Sequence, residues 1–284
     1  MGFELVAPAS VEAAVRTLTE GSAETTAVLA GGTDLLLDID DGRVAPDRVV
    51  SLRKLPWRSM EWSGPSLRIG STLPLRALEG DARVRERLPG LWQAVRAVGG
   101  VALRNRATIG GNLARASPAS DLLPILLAYD TVVDLVGPSG RRSVPLGAFL
   151  VGPRQTALAR GELIASATIP FHAPSEYVWQ RVRPANDISQ VGVAVVRAPK
   201  RPYWRVALGG VQPNVTRLPT VETILDAPRP SEADVDRAAV EAARRAPFVT
   251  DKRATESYRR RLVRVLVRRA VEATDRQSRS GSTT

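Results

Sequence analysis

Two similar glycine turns stand out in this sequence: Ala30-Gly31-Gly32-Thr33-Asp34-Leu35-Leu36 and, 78 residues later, Thr108-Ile109-Gly110-Gly111-Asn112-Leu113-Ala114. Because glycine has no Cβ, the chain can bend tightly there and bring successive backbone N–H groups close to a phosphate. The pair predicts two backbone loops that close on one anionic ligand. Neither G-x-G-x-x-G nor G-x-x-x-x-G-K-[ST] occurs in the chain, so a dinucleotide would have its pyrophosphate held in another way.

The composition is that of a globular protein. The chain has 284 residues, of which 44% are hydrophobic and 24% charged, enough for two or three domains with their own cores. No run approaches the roughly 18 apolar residues that a membrane span needs. The N-terminus lacks a basic segment followed by an apolar one. We therefore expect no membrane span, no secretory signal and a cytoplasmic location.

Cysteine is absent and histidine occurs once. The chain therefore has no disulfide, no thiolate ligand for an iron–sulfur cluster and no cysteinyl–flavin bond. A single histidine cannot build a metal site. His172 follows Ile169-Pro170-Phe171 at a predicted strand exit, and we interpret it as an exposed loop residue. A Ser-His-Asp triad through it is formally possible, but nothing nearby marks a nucleophile.

The net charge of +11 raises the question of a nucleic-acid partner. The arginines are spread along the whole chain, and an aromatic content of 5% offers few stacking platforms, so we expect none. The densest basic run is Arg259-Arg260-Arg261, followed by Arg264, Arg268 and Arg269. It lies beside an apolar stripe and is interpreted as a solvated helix face, with a docking surface for an acidic partner as the alternative.

Three units follow one another along the chain. In the first, which ends near residue 55, Ser10 caps a helix that stops at Gly21, and a buried strand Ala27–Ala30 leads into the first glycine turn. A further strand is predicted at Arg48–Leu52. The second unit has predicted strands at Leu67–Ile69, Thr131–Val136 and Leu163–Ile169, and helices around Thr72–Leu78, Leu91–Val98 and Asp121–Tyr129. Residues 170–174 form a predicted linker.

The third unit has predicted strands at Tyr177–Val182, Val191–Val196 and Arg205–Leu208. Ser231 begins a capping-box-like helix start with Asp234. The last helix is predicted to bury Tyr258, Leu262, Val265 and Leu266. Residues 275–284 are polar, and we expect them to be disordered.

The second glycine turn is followed by small and polar residues, Ser117-Pro118-Ala119-Ser120-Asp121, which can donate to phosphate and ribityl oxygens. Asp121 has the wrong charge for phosphate, so it would accept from a ligand hydroxyl or fix the loop. Asp34 could accept from backbone N–H groups and hold the first turn open. The alternative for both is an Asx-turn or helix cap without any ligand, and composition and spacing leave that choice open.

These motifs resemble the FAD-binding medium subunit of the molybdenum hydroxylases, the family of the flavoproteins of xanthine dehydrogenase and aerobic carbon monoxide dehydrogenase. The resemblance extends to Gly161-Glu162-Leu163-Ile164, Asn186-Asp187-Ile188, Ala207-Leu208-Gly209-Gly210-Val211 and Ser257-Tyr258-Arg259-Arg260. It covers nearly the whole chain, and the paired glycine motifs are highly specific.

The resemblance implies an α+β fold. A vanillyl-alcohol-oxidase (PCMH)-type FAD-binding domain of two α/β subdomains is expected over residues 1–172, with subdomains of about 1–57 and 58–172. A small α/β C-terminal domain with an antiparallel sheet, of the carbon monoxide dehydrogenase flavoprotein type, is expected over residues 175–274, before the disordered tail at 275–284.

It also implies which residues hold non-covalent FAD. The two loops would surround the pyrophosphate with the backbone N–H groups of Val28, Leu29, Ala30, Gly31, Gly32, Thr33, Asp34, Leu35, Thr108, Ile109, Gly110, Gly111 and Asn112. Ser117 and Asp121 would complete the diphosphate and ribityl contacts. Ile164 matches a position near the adenine or flavin edge, and Ile188 one against the isoalloxazine face. We expect no catalytic side chain and no metal ligand, because the flavin performs the redox step.

Three positions depart from the family pattern. Val98 is aliphatic where some relatives place an aromatic that stacks on adenine. Trp179 replaces a lysine found in many relatives, and its ring could stack instead. Arg115 occupies a position that is usually small or polar, from which it could reach a phosphate or only solvent. None of the three alters the backbone part of the expected site.

The function implied by the resemblance is electron transfer within an oxidoreductase complex. An iron–sulfur small subunit with 2Fe–2S clusters and a molybdopterin-binding large subunit are the expected partners, in a hetero-oligomer that forms a dimer of heterotrimers. Electrons would leave to NAD⁺, oxygen, a quinone or another acceptor. The absence of cysteine agrees with clusters carried by a partner. The main alternative is a stand-alone FAD oxidase or dehydrogenase; a scaffold that has lost flavin is another.

Overall fold

The computed structural model describes residues 2–22, 25–184, 186–211, 213–227, 229–246 and 248–280. Its first unit contains β1 (Glu4–Val6), α1 (Val11–Glu20), β2 (Thr26–Leu29), α2 (Leu35–Asp40) and β3 (Arg48–Ser51). The strands form a parallel sheet in the order β1-β3-β2. Ser10 caps α1 as predicted, since its Oγ accepts from the N–H of Ala13 at 3.1 Å.

The strand before the first glycine turn is present but is not buried, which corrects the prediction. β2 lies at the edge of its sheet, and Val28 is 40% exposed. An apolar run of four residues looks the same whether it faces a core or a cleft, so periodicity alone could not separate the two. The glycine turn thus follows a strand with one face open.

The second unit is the largest. It contains β4 (Met60–Ser63), β5 (Ser66–Gly70), α3 (Leu75–Gly80), α4 (Ala82–Arg87), α5 (Pro89–Ala97), α6 (Val101–Arg104), α7 (Ile109–Arg115), α8 (Leu122–Ala128), β6 (Val132–Gly137), β7 (Gly140–Pro145), α9 (Leu146–Phe149), β8 (Leu150–Gly152), β9 (Gln155–Thr156) and β10 (Leu163–Ile169). Five of its strands form an antiparallel sheet in the order β4-β5-β10-β6-β7. β10 lies at the centre, exactly over its predicted residues.

The third unit contains β11 (Ser175–Gln180), β12 (Val191–Arg197), β13 (Trp204–Gly209), β14 (Thr216–Arg217), α10 (Pro219–Ile224), α11 (Glu232–Arg245) and α12 (Glu256–Ser280). Its four strands form an antiparallel sheet in sequential order. The capping box at Ser231 and Asp234 is confirmed. Strands β11 to β13 agree with the predicted ones to within two residues.

α8 joins the second and third units. All seven of its residues are buried, and it packs against α5 and α7 on one side and against β12 and β13 on the other. Only residues 116–121 separate this helix from α7, which begins at the second glycine turn, so contacts with the third unit help to fix the position of that turn. Within the described ranges, no helix is both long and apolar enough to cross a membrane.

The last helix differs from the prediction in its buried face. Tyr258 and Val265 are 38% and 44% exposed, while Leu266 is buried together with Val263, Val267, Ala270 and Val271. α12 packs against α11 and also against β11 and β12, and this double contact determines which stripe is covered. The interpretation of the whole arginine run as a solvated face was also wrong, since Arg259 is only 2% exposed.

The predicted disorder of residues 275–284 was wrong for its first part. α12 continues to Ser280, and the side chain of Gln277 accepts from the N–H of Ser175 at 3.1 Å and donates to Glu176 at 2.8 Å. Polar composition marked these residues as a tail, but their hydrogen bonds go to the start of β11. Residues 281–284 lie outside the described residues.

Replacement of Arg259 by methionine should strongly destabilise the chain. Its guanidinium donates to the carbonyl of Gly210 at 2.7 Å and to Asp251 at 2.6 Å, and the loss of hydrogen bonds from a buried charged group costs about 2 kcal/mol. The exposed neighbour Arg261 is the control, and R261M should change the free energy of unfolding by about 0.5 kcal/mol or less. Urea unfolding followed by circular dichroism compares the two; equal stability would contradict the structural role of Arg259.

Candidate functional site

The two glycine turns line one cleft of about 740 Å³. Fifteen of the predicted site residues line it: Val28, Ala30, Gly31, Gly32, Thr33, Asp34, Leu35, Thr108, Gly110, Gly111, Asn112, Ser117, Asp121, Ile164 and Ile188. Leu29 and Ile109 do not, and Ile109 belongs to the core of the second unit. The structure thus brings together residues that lie up to 160 positions apart in the chain, from Val28 to Ile188.

The first turn presents free backbone donors to the cleft. Gly32 has φ +80°, a left-handed conformation that glycine adopts without strain. The N–H groups of residues 32–35 donate to no acceptor among the described residues. Unpaired N–H groups at a cleft favour an anionic ligand. The first loop therefore has the donors that its glycines predicted.

Asp34 does not hold this turn open through backbone hydrogen bonds, which corrects that prediction. It occupies the position before α2, but its side chain caps nothing there. Its carboxylate is 58% exposed and lies 3.4 Å from the Nε of Arg115. The sequence could not reveal this, because Arg115 is distant in the chain and belongs to the other glycine turn.

Close packing between chain segments explains two of the glycines. A Cβ on Gly31 would lie 2.0 Å from the carbonyl oxygen of Arg106, and one on Gly110 would lie 2.5 Å from the Cβ of Ser71. Gly111 is different, since a Cβ there would meet only the Thr108 hydroxyl, at 3.2 Å. Gly31 and Gly110 therefore allow the segments that line the cleft to pack closely, while Gly111 leaves space inside the cleft.

The second turn is the start of helix α7 rather than an open loop. Thr108 caps this helix, and its Oγ1 accepts from the N–H of Gly111 at 3.0 Å. Ser120 donates to the Asn112 side chain at 2.7 Å and accepts from the N–H groups of Leu122 and Leu123. Ser120, and not Asp121, therefore caps α8. These contacts give the second wall a fixed shape.

Most backbone N–H groups of the second turn are already occupied, which corrects the prediction that they donate to the pyrophosphate. Those of Gly110 and Asn112 donate to the carbonyls of Ser71 and Thr108, each at 3.0 Å, and that of Gly111 donates to the Thr108 hydroxyl. The second turn therefore contributes shape and space, while the free donors belong to the first turn.

Asp121 connects the cleft to the third unit. Its Oδ1 accepts from the hydroxyl of Tyr177 at 2.7 Å and from that of Ser189 at 2.6 Å. Burial raises the pKa of the Asp121 carboxyl, and the two hydrogen bonds offset only part of that effect. Both donors belong to the third unit. Asp121 therefore fixes the loop, which is one of the two roles that the residue pattern left open for it.

Sequence reasoning missed Ser71. Its hydroxyl is buried, lines the cleft beside Gly110 and has no hydrogen-bond partner in the described structure. A buried polar group without a partner requires an explanation, and a ligand that enters the cleft would provide one. The one signal in the sequence is its place at the end of the predicted strand Leu67–Ile69.

The three departures from the family pattern have different positions. Val98 and Arg115 line the cleft. Trp179 does not; it stacks on Tyr177, with ring centroids 5.7 Å apart and an interplanar angle of 16°. The guanidinium of Arg115 is paired with Asp38 at 2.5 Å, so this side chain is not simply solvated.

The mouth of the cleft is apolar. Five of the large hydrophobic side chains that remain exposed in this structure line it: Val28, Leu37, Val44, Leu103 and Ile188. Apolar side chains gathered around a concave site mark a ligand surface more often than a folding defect. A cleft lined both by these side chains and by the polar glycine turns suits a ligand with a flat apolar part and an anionic part.

Metal chemistry finds no support in the described part of the chain. No group of three or more His, Asp or Glu side chains there could hold a metal ion. His172 is exposed, and its Nδ1 lies 3.3 Å from the carbonyl oxygen of Pro65. The interpretation of His172 as an exposed loop residue is confirmed.

A dinucleotide with an aromatic ring system fits this cleft. The volume of about 740 Å³ lies in the usual range for cofactor pockets of roughly 300–1,000 Å³. The free N–H groups of residues 32–35, the open space at Gly111 and the unpaired Ser71 hydroxyl provide polar positions for the phosphate part. The apolar mouth provides the position for the rings.

Two models of known protein families together match almost the whole chain. Residues 1–172 match the model described as FAD binding domain in molybdopterin dehydrogenase, and residues 177–274 match the CO dehydrogenase flavoprotein C-terminal domain. The chain therefore belongs to the family of FAD-binding medium subunits of molybdenum hydroxylases. The predicted resemblance and the α+β fold class are confirmed, and the chain is an oxidoreductase flavoprotein subunit.

Individual relatives are similar over almost their full length. The nicotine 6-hydroxylase medium subunit of Paenarthrobacter nicotinovorans is 28% identical and covers 93% of this chain and 94% of its own. The carbon monoxide dehydrogenase medium chain of Hydrogenophaga pseudoflava is also 28% identical, over 95% of this chain and 96% of its own. A solved structure of carbon monoxide dehydrogenase from Hydrogenophaga pseudoflava superposes with a TM-score of 0.90 at 28% identity and covers 98% of both chains.

Asp121→Asn should raise the free energy of unfolding at pH 7.5 by on the order of 1 kcal/mol relative to the wild type. The reason is that an amide oxygen can still accept from Tyr177 and Ser189 without a buried charge. The folded-state pKa lies above the ordinary value of 3.8, so only the wild type gains stability as the pH falls through it. The difference between the two should therefore shrink toward pH 4.

Urea titrations between pH 4 and pH 8 measure this difference. Tyr177→Phe is the matched variant, since it removes one donor and keeps the charge, and it should lower stability at pH 7.5. A D121N chain that is clearly less stable than the wild type at pH 7.5 would contradict the assignment of a costly buried charge to Asp121.

Proposed function

We propose that this chain is the electron-transfer subunit of a molybdenum hydroxylase complex. It would receive electrons from an iron–sulfur small subunit and deliver them to NAD⁺, oxygen, a quinone or another acceptor. The observation that carries the proposal is the cleft lined by the two glycine turns, with its free N–H donors, in a chain whose residues 1–172 and 177–274 match the two domains of this flavoprotein family. The dimer of heterotrimers, with a molybdopterin-binding large subunit, and the cytoplasmic location stay predictions.

The domain division is part of the proposal. We propose an FAD-binding domain of residues 1–172, with subdomains of about 1–57 and 58–172, and a C-terminal domain of residues 175–274. Three separate clusters of buried hydrophobic residues support it. One consists mainly of first-unit residues and one of third-unit residues, while the cluster of the second unit also includes five residues of the third: Tyr177, Ala194, Val196, Ala207 and Val215.

Bound FAD would supply the redox chemistry at its isoalloxazine ring. The N–H groups of residues 32–35 would donate to the diphosphate, and Gly111 would leave room for it. Ser117 and Asp121 also line the cleft, and ribityl hydroxyls would lie beside them. Ile164 and Ile188, together with the apolar mouth, would shield the ring from water and so influence its potential. No side chain is required to transfer a proton.

The binding would be non-covalent. The chain has no cysteine, and its one histidine, His172, is exposed and is not among the residues that line the cleft. Neither residue type that usually tethers a flavin is therefore available. Acid or detergent should release all of the flavin from the protein.

Gly111→Val should weaken FAD binding by at least about tenfold, because the added methyl groups enter the space between the two turns. Gly80→Val is the control, since a Cβ at Gly80 meets nothing within 4 Å and Gly80 lies outside the cleft. Titration of the flavin-free chain with FAD measures both dissociation constants, and thermal unfolding confirms that both variants fold. Equal affinity in G111V and G80V would contradict the placement of FAD between the turns.

Purification from the native host tests the subunit role. A tagged chain should bring down a cysteine-rich small chain and a large chain, with molybdenum, iron and flavin in the complex. The physical reason is that this chain has no cysteine thiolate with which to hold an iron–sulfur cluster, so a partner must carry it. A chain recovered alone, yellow and free of metal, would overturn the subunit role and favour a stand-alone FAD oxidase or dehydrogenase.

A further inference from the structure

The cleft is acidic although the chain is strongly basic. The net charge is +11, yet the ionisable side chains that line the cleft include the carboxylates of Asp34, Asp38, Asp121, Glu162 and Asp187. Among the described lining residues, Arg115 is the one cation. Binding of an anionic ligand in this cleft therefore depends on how the charges of those carboxylates are neutralised.

Three of the five carboxylates have ion-pair or hydrogen-bond partners that do not belong to the first glycine turn. Glu162 pairs with Arg142 at 2.7 Å, Asp187 pairs with Arg183 at 3.4 Å, and Asp121 accepts two hydroxyl hydrogen bonds. Asp34 and Asp38 remain, and both belong to the segment that presents the free N–H groups. A diphosphate bound to those N–H groups would lie beside two carboxylates.

Arg115 lies between these two carboxylates. Its Nη1 is 2.5 Å from Asp38 Oδ2, and its Nε is 3.4 Å from Asp34 Oδ1. The Asp38 side chain is 8% exposed and also pairs with Arg43. The hydrogen bond from Arg115 is the largest of the causes that hold the pKa of Asp38 below its ordinary range. Asp38 is thus a fixed, ionised anchor.

Asp34 is the weaker partner of Arg115. At 3.4 Å and 58% exposure its contact is long and screened by water, and exposed pairs of this kind contribute about 0–1 kcal/mol. A phosphate oxygen accepts a stronger, charge-assisted hydrogen bond from a guanidinium than a solvated carboxylate does at that distance. The Nε of Arg115 is therefore the position at which a phosphate can replace a protein group at little cost.

We infer that Arg115 is the cation that neutralises the diphosphate of the cofactor, with Asp38 holding the guanidinium in place and Asp34 giving way to a phosphate oxygen. This role rests on the proposed FAD site. It adds a full positive charge to that site, because backbone N–H donors carry only partial charges. They cannot by themselves offset two phosphate charges next to Asp34.

Three full-length variants, stripped of flavin and titrated with FAD, test this role. R115Q should weaken binding by about tenfold or more, since it loses a charge-assisted contact. D34N should tighten binding by about threefold, because it removes a repulsive charge and frees the guanidinium. R48Q is the matched control: Arg48 pairs with Glu4 at 2.7 Å in the same unit, outside the cleft, so its affinity should equal that of the wild type.

Added salt provides an independent readout. The affinity of the wild type should fall more steeply with NaCl than that of R115Q, because the variant has lost the charge that salt screens. A purely structural ion pair predicts instead that R115Q and D34N both lower the apo-protein's thermal midpoint and both weaken binding. That result, or R115Q equal to R48Q in affinity, would overturn the role of Arg115. A wild type that binds no FAD at all would overturn the proposed function itself, and this role with it.

Discussion

The close backbone contact between Gly31 and Arg106 determines the shape of the cleft. A Cβ at Gly31 would lie 2.0 Å from that carbonyl oxygen, so the first turn can approach the segment before the second turn only because residue 31 has no side chain. Gly110 is packed in a similar way against Ser71, since a Cβ there would lie 2.5 Å from the Ser71 Cβ. The Gly31 contact brings the first turn close to the second, and the N–H groups of residues 32–35 donate to no acceptor among the described residues.

The position of the cleft also depends on the third unit. All residues of α8 are buried, it packs against α5 of the second unit and β12 and β13 of the third, and Asp121, at its start, accepts from Tyr177 and Ser189 of the third unit. Ile188, which lines the mouth, is the neighbour of Ser189. The C-terminal unit therefore contributes to the walls of the site, and changes at its contact with α8 should be felt in the cleft.

Much of the fold follows from local patterns. The caps at Ser10 and Ser231 and the strand Leu163–Ile169 were predictable, because each depends on a few adjacent residues. The buried face of α12 was not, since it depends on simultaneous contact with α11 and two strands. In the site, the glycine turns and most lining residues could be predicted from their motifs. Ser71 and the pairing of Arg115 with Asp38 could not, because they depend on contacts between segments distant in the chain.

Charge distribution separates this cleft from the rest of the chain. The surface arginines give the protein its net charge of +11, but the cleft combines five carboxylates with Arg115. An anionic cofactor must therefore be held by backbone donors and one arginine rather than by a general positive field. A crystal structure of the chain saturated with FAD tests this most directly. We expect diphosphate oxygens within hydrogen-bond distance of the N–H groups of residues 32–35, with the flavin ring toward Ile188. A diphosphate bound outside the two glycine turns would contradict it.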